Sequence, residues 1–280
     1  MQTPSNNRYE QRFQEEAAQG KKIFIPFTLL GWPTEEKSLE IIETLIDVGV
    51  SALELGFPFG DAVSDGPIIQ HAAQEAISNG FNSRQGFGLI QHARTLDPNI
   101  PIGIMVYYNA VLSYGVDSFF EAAVKSGADG ILIVDLPVEH AEEIVPTARK
   151  HGIALIFIIS PLTSQDRLTT ILQYAEGFLY LVSRLGITGT ENVRDQELKH
   201  TIERVKQASN LPVCVGFGIS NAEDAQGIFT LGADGVITGS RIIQIVQESK
   251  GDKKVLSKFI NSMTDASSQE ASVELVNVSQ

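Results

Sequence analysis

The chain has 280 residues, a formal net charge of −13 and one cysteine, Cys214. The acidic balance excludes nucleic acid or an anionic membrane as the main partner, and a lone thiol excludes an intrachain disulfide or a zinc site built on several thiolates. A hydrophobic fraction of 43% fits a sizeable core, and about 250 residues is the usual size of a one-domain α/β barrel.

The N-terminal stretch MQTPSNNRYEQRF shows no apolar segment of signal-peptide type. No run is long and apolar enough to span a bilayer, so the cytoplasm is the expected location. Residues 5–19 read as a short polar helix capping a barrel bottom. Eight short apolar runs follow: IFIPFTLL (23–30), SALELGF (51–57), IPIGIMVY (100–107), GILIVDL (130–136), IALIFII (153–159), GFLYLVS (177–183), LPVCVGF (211–217) and DGVITGS (234–240). They are near-continuously apolar, as parallel strands buried on both faces are. Cys214 sits in one of them and reads as a small buried hydrophobe.

Amphipathic stretches of helical length separate the runs, and the joints VGVSALEL, SGADGILIV, HGIALIFI and LGADGVITG each place a Gly where a helix ends. Eight regular βα units predict a single closed (β/α)8 barrel over residues 1–265, an open doubly wound sheet being the alternative. The Ser-rich stretch 266–280 predicts a flexible tail.

Barrels bind ligands at the C-terminal ends of their strands. The seventh run is followed by Gly216-Phe217-Gly218-Ile219-Ser220. The eighth is followed by Gly239-Ser240 and the helical run RIIQIVQ. Such loops let backbone N–H groups approach an anion, and a helix start adds unpaired N–H groups and a positive dipole end. An acidic chain can hold a phosphate this way without a lysine cluster. Gly186-Ile187-Thr188-Gly189, after the sixth run, would complete the set.

The second run continues as SALELGFPFGDAVSDGP. Glu54 takes a position that a buried strand gives to Val or Leu, and burial there would raise its pKa towards neutrality. Its alternative is an internal salt bridge. Asp61 and Asp65 follow in a Gly- and Pro-bounded loop, where a solvated carboxylate is the alternative reading. Asp135 closes the fourth run, where a structural or supporting role, such as capping the helix that begins near Val138, is favoured over contact with substrate. Arg184 suits either a phosphate or a carboxylate. No lysine lies within the eight runs, so a Schiff-base aldolase has no nucleophile. The five histidines fall in predicted helices with no metal-ligand spacing, and no metal is expected. Acid–base chemistry by carboxylates on a phosphorylated substrate remains.

The segment LELGFPFGDAVSDGP resembles the signature of the tryptophan synthase α subunit family, close to LELGxPFSDPxADGP. FIPFTLLGWP, PIGIMVYYN, DLPVE, YLVSRLGITG, GFGIS and the late GS occur in the family's order, from about residue 8 to 265. The resemblance implies cleavage of indole-3-glycerol phosphate to indole and glyceraldehyde 3-phosphate, a retro-aldol step. No cofactor is expected in this chain, pyridoxal phosphate belonging to a β partner in an α2β2 tetramer. By motif position, Glu54 would protonate the indole ring at C3, and Asp65 would face the ring N–H. Tyr180 would line the site near Glu54, and Thr188 would hold Asp65. Phe27, Met105 and Phe217 would pack on the indole. Gly189, Gly218, Gly239 and Ser240 would bind the phosphate.

Three departures fall near the expected partner surface of Gly60, Asp61, Ala62 and Asn109. Gly60 and Ala62 stand where the family has Ser and Pro, and Trp32 where it generally has Asp. Trp32 reads as an interface aromatic, with packing inside the barrel mouth as the alternative. A specialised partner, a free-standing lyase or a partner-activating paralogue without activity are the competing functions. Retention of Glu54 and Asp65 argues against the last. An indole-3-glycerol phosphate synthase would want a catalytic lysine at a strand end.

Overall fold

The computed structural model describes residues 8–182, 191–216 and 218–268. Its strands are β1 (Ile23–Leu29), β2 (Leu53–Gly56), β3 (Ile102–Val106), β4 (Gly130–Ile133), β5 (Ala154–Leu155), β6 (Phe157–Ile159), β7 (Leu179–Val182), β8 (Val213–Gly216) and β9 (Gly235–Thr238). They form one sheet in the order β5-β4-β3-β2-β1-β9-β8-β7-β6, every pairing parallel. All eight apolar runs become strand, and the fifth becomes two. Its first half pairs with β4 and its second with β7. Ile156 joins the halves and donates its N–H to Ile131 O at 3.0 Å. The two ends of the sheet therefore meet inside one run, which nearly closes the barrel.

The helices are α1 (Arg8–Ala18), α2 (Glu35–Val48), α3 (Pro67–Ser78), α4 (Ser83–Leu96), α5 (Tyr108–Tyr114), α6 (Val116–Ser126), α7 (Val145–His151), α8 (Gln165–Leu172), α9 (Glu191–Ala208), α10 (Ala222–Thr230), α11 (Ser240–Glu248) and α12 (Lys253–Ser268). A short 3-10 helix, Val138–Glu143, precedes α7. Local chemistry sets their ends. Thr34 caps α2 by accepting from the Lys37 N–H, and Gly49 ends it in the left-handed region. Asn82 and Gln85 form a capping box on α4. Pro67 opens α3, where its missing N–H costs nothing. The helix α12 runs to Ser268, and the rest of the expected tail lies outside the described residues.

Two apolar cores follow from the period-2 alternation of the strands. The larger lies between sheet and helices. The smaller fills the barrel and includes Ile23, Ile25, Leu132, Ile156, Tyr180, Cys214 and Ile237. The helix α1 is polar on most of its surface, as its sequence suggests, yet Tyr9 and Phe13 are buried and belong to the inner core. Arg8 anchors it to Asp129 at 2.7 Å, and Asp129 also accepts from Arg94 and from the Ile102 N–H. No described helix is long and apolar enough to cross a membrane.

Candidate active site

The inward positions of β2 bring Glu54 to the barrel interior, in register with Phe27 on β1 and Gly103 on β3. Glu54 is 3% exposed. Its Oε2 has no hydrogen-bond partner among the described residues, and none of them forms a salt bridge with it. Burial, and then the like charge of Asp65, pushes its pKa from 4.5 up to about 8. The carboxyl therefore holds its proton near neutral pH.

Asp65 ends the loop that follows β2. Tyr107, just past β3, donates its hydroxyl to Asp65 Oδ2 at 3.0 Å and accepts the Ser64 N–H at 3.1 Å. Phe59 stacks on the Tyr107 ring at 4.9 Å. Gln70 donates to the Asp65 carbonyl at 2.8 Å. Burial raises the Asp65 pKa, and the Tyr107 hydroxyl opposes that rise. Asp65 is thus a fixed, half-buried carboxylate rather than a solvated loop residue.

Tyr180 on β7 faces the same space. Burial, then the charges of Glu54 and Asp65, keeps its hydroxyl protonated. Its Oη fills the place above Gly216, where a Cβ would lie 2.2 Å away. Phe27 spans from Gly56 to Gly239, blocking a Cβ at either position by 2.7 and 2.8 Å. Met105 is half-buried at the end of β3. Glu54, Asp65, Tyr180, Phe27 and Met105 therefore converge on one mouth. Thr188, Gly189, Arg184 and Phe217 lie outside the described residues.

At the far side, Gly239 precedes α11 and offers no side-chain cap, and Ser240 is the first helical residue. The neighbouring α10 is already occupied: Asn221 caps it, and Asp224 accepts the Ser220 N–H at 2.7 Å. The open helix start in this corner is that of α11. Gly218 stands exposed beside it with φ +81°, a conformation that favours glycine.

In the loop after β2, Gly60 and Asp61 are exposed while Ala62 is buried, and Asn109 is exposed in α5. Trp32 is not at a surface. It is 1% exposed, and its indole N–H donates to Glu75 on α3 at 2.7 Å. Trp32 therefore packs, but in the core between sheet and helices, where the indole nitrogen finds a carboxylate on the helix that follows the Asp65 loop. Asp135 takes a structural role: its Oδ1 accepts the Tyr108 N–H at 2.6 Å, tying the end of β3 to the loop after β4.

The sequence does not single out Tyr107 or Phe59. One signal was available: positions 103, 105 and 107 share the inward face of one strand, so Tyr107 continues the row of Gly103 and Met105 into the mouth.

The family model described as "Tryptophan synthase alpha chain" matches residues 13–272. The tryptophan synthase alpha chain of Methanothermobacter thermautotrophicus is 42% identical over 240 residues, 86% of this chain and 88% of that one. That of Salmonella typhimurium is 39% identical over 264 residues, 93% of this chain and 98% of that one. Among solved structures, tryptophan synthase subunit alpha of Legionella pneumophila superposes with a TM-score of 0.85 at 33% identity, covering 93% of this chain and 98% of that one. A structure of Mycobacterium tuberculosis tryptophan synthase gives 0.86 at 27% identity, covering 94% and 99%. A buried carboxyl in a barrel mouth, a second carboxylate beside it and matches of this extent lead to one conclusion: the chain belongs to the tryptophan synthase alpha chain family, whose members are lyases.

Proposed function

We propose that this chain cleaves indole-3-glycerol phosphate to indole and glyceraldehyde 3-phosphate, with Glu54 as the general acid–base. The observation that carries the reading is Glu54 itself, buried in an apolar mouth and protonated near neutrality. Cleavage needs a proton on ring carbon C3, and a carboxyl with a raised pKa can deliver one at working pH. Once ionised, the same group can take the hydroxyl proton of the glycerol side chain as the carbon–carbon bond breaks. Asp65, fixed by Tyr107, stabilises the positive charge that develops at the ring N–H.

Phe27, Met105 and Tyr180, with Phe217, line the indole space. The α11 start at Gly239-Ser240, with Gly218, receives the phosphate, and Gly189 completes the cradle. Thr188 holds Asp65 in the closed site. The chain needs no cofactor of its own for these steps and works in the cytoplasm.

The partner is a tryptophan synthase β subunit bearing pyridoxal phosphate, in an α2β2 assembly. The loops after the strands support this. Val63 beside Asp61, Leu112 in α5 near Asn109 and Leu162 after β6 are 74%, 50% and 79% exposed. Exposed large apolar side chains on loops that follow the strands suit an interaction surface, and the exposed Gly60, Asp61 and Asn109 belong to it, whereas Ala62, expected there, is buried. The test is to incubate the pure protein with indole-3-glycerol phosphate and follow indole release, with and without a β subunit. Release that rises on adding β supports both parts. No release under either condition contradicts the reading.

A further inference from the structure

The N-terminal helix α1 lies outside the strand repeat, yet its Tyr9 reaches the inside of the barrel. Tyr9 is 1% exposed. Three inward-facing backbone positions are glycine where its ring passes. A Cβ at Gly130 would meet the ring at 2.9 Å, one at Gly177 at 3.4 Å and one at Gly103 would meet the hydroxyl at 2.6 Å. Gly103 is the register partner of Glu54. Partners in a parallel pair project to the same side of the sheet, so the tip of Tyr9 fills the side-chain place next to Glu54. The helix that carries it is pinned by Arg8 on Asp129 and on the Pro98 carbonyl. Phe13 and Phe178 pack against the Tyr9 ring, each at 5.6 Å.

We propose that Tyr9 is a positioning residue for the cleavage: delivered from outside the strand repeat, it walls the lower side of Glu54 from water and so keeps that carboxyl in its acid form. This rests on the reading of Glu54 as the general acid–base. The groups that share electrostatic range with Glu54 are Asp65 from the loop after β2, Tyr180 on β7, Cys214 on β8 and Tyr9 on α1. Among the described residues none of these groups is a cation, so burial, with the like charge of Asp65 beside it, is what holds the proton on Glu54. The mutual influence of Tyr9 and Glu54 agrees with their adjacency. Truncating Tyr9 would leave a void next to Glu54, whose Oε2 lacks a partner among the described residues. Water enters such a void, whereas it avoids an apolar one.

The experiment is the pH profile of indole release by Tyr9→Ala, Tyr9→Leu, Tyr9→Phe and Phe13→Leu, with Glu54→Gln assayed alongside. Phe13→Leu loosens the same plug but leaves the ring beside Gly103 in place. The alkaline limb, where Glu54 loses its proton, is expected to move down by about one pH unit or more in Tyr9→Ala and by less in Tyr9→Leu. Tyr9→Phe, which keeps the ring but removes the hydroxyl beside Gly103, is expected to move the limb by less than Tyr9→Leu, and Phe13→Leu to leave it in place. Should Tyr9→Ala fail to fold, Tyr9→Leu and Tyr9→Phe carry the comparison. An unmoved limb in folded Tyr9→Ala or Tyr9→Leu, with Glu54→Gln inactive, overturns the role of Tyr9 alone. An active Glu54→Gln overturns the reading on which it rests.

Discussion

Tyr107 and Asp65 are joined by a 3.0 Å hydrogen bond in which the phenol donates to the carboxylate. The same phenol oxygen accepts from Ser64, so one side chain at the end of β3 fixes two residues of the loop after β2. The loop is built of residues that hold little structure alone, including Gly60 and Gly66. Its order is imported from the neighbouring strand.

Tyr107→Phe should therefore impair cleavage without abolishing it. The ring and its stacking on Phe59 remain, but Asp65 loses its donor. Because that donor lowers the Asp65 pKa, removing it should raise the acid-side limb of the pH profile. A drop in kcat/KM of roughly ten- to a hundredfold corresponds to the roughly 1.5–3 kcal/mol expected of a hydrogen bond to a charged group. Steady-state kinetics across pH would check it. An unchanged limb would mean that Asp65 does not titrate in the reaction.

Asp65→Asn should cost more, on the order of 10²–10³ in kcat, as the loss of a group facing developing charge typically does. Substrate affinity should change little, since the amide keeps the shape. A large rise in KM with kcat intact would instead assign Asp65 to binding.

At the other corner, Gly239→Ala would set a Cβ 2.8 Å from the Phe27 ring. The ring would be pushed towards the indole space, and the approach to the α11 start would narrow. Weaker binding of glycerol 3-phosphate is expected, measured by calorimetry. Equal affinity in wild type and variant would count against a phosphate at this helix start.

The fold was largely legible because the physics behind it is periodic. Eight apolar runs with polar helical stretches between them leave few topologies open. The split of the fifth run was not legible, since Ile156 is as apolar as its neighbours and only pairing on both sides reveals the break. Glu54 stood out as a charge inside an apolar run. Tyr107 did not, because an aromatic at a strand end looks like core. The reach of Tyr9 depends on Gly103 on β3, Gly130 on β4 and Gly177 just before β7, which meet only in the folded barrel. Trp32 could be read either way until its partner Glu75 was seen, 43 residues along the chain.

The raised pKa of Glu54 also has a consequence for stability. A folded-state value near 8 against 4.5 means that the folded chain binds this proton more tightly than the unfolded chain. The stabilisation is fully present below the unfolded value and is lost as pH rises through about 8. Each unit of difference is worth about 1.4 kcal/mol. Glu54→Gln, which cannot ionise, should gain stability relative to wild type by a few kcal/mol between pH 5 and 8.5, following this linkage. Urea unfolding at the two pH values would show the widening gap, and a constant gap would place Glu54 in a wetter site.

The most direct test of the central claim is single-turnover cleavage of indole-3-glycerol phosphate by Glu54→Gln beside wild type, with substrate affinity measured on the same samples. The account predicts that affinity is largely retained while the rate of indole formation falls by at least 10²–10⁴, the usual cost of losing a general acid–base. Wild-type turnover in Glu54→Gln would contradict it.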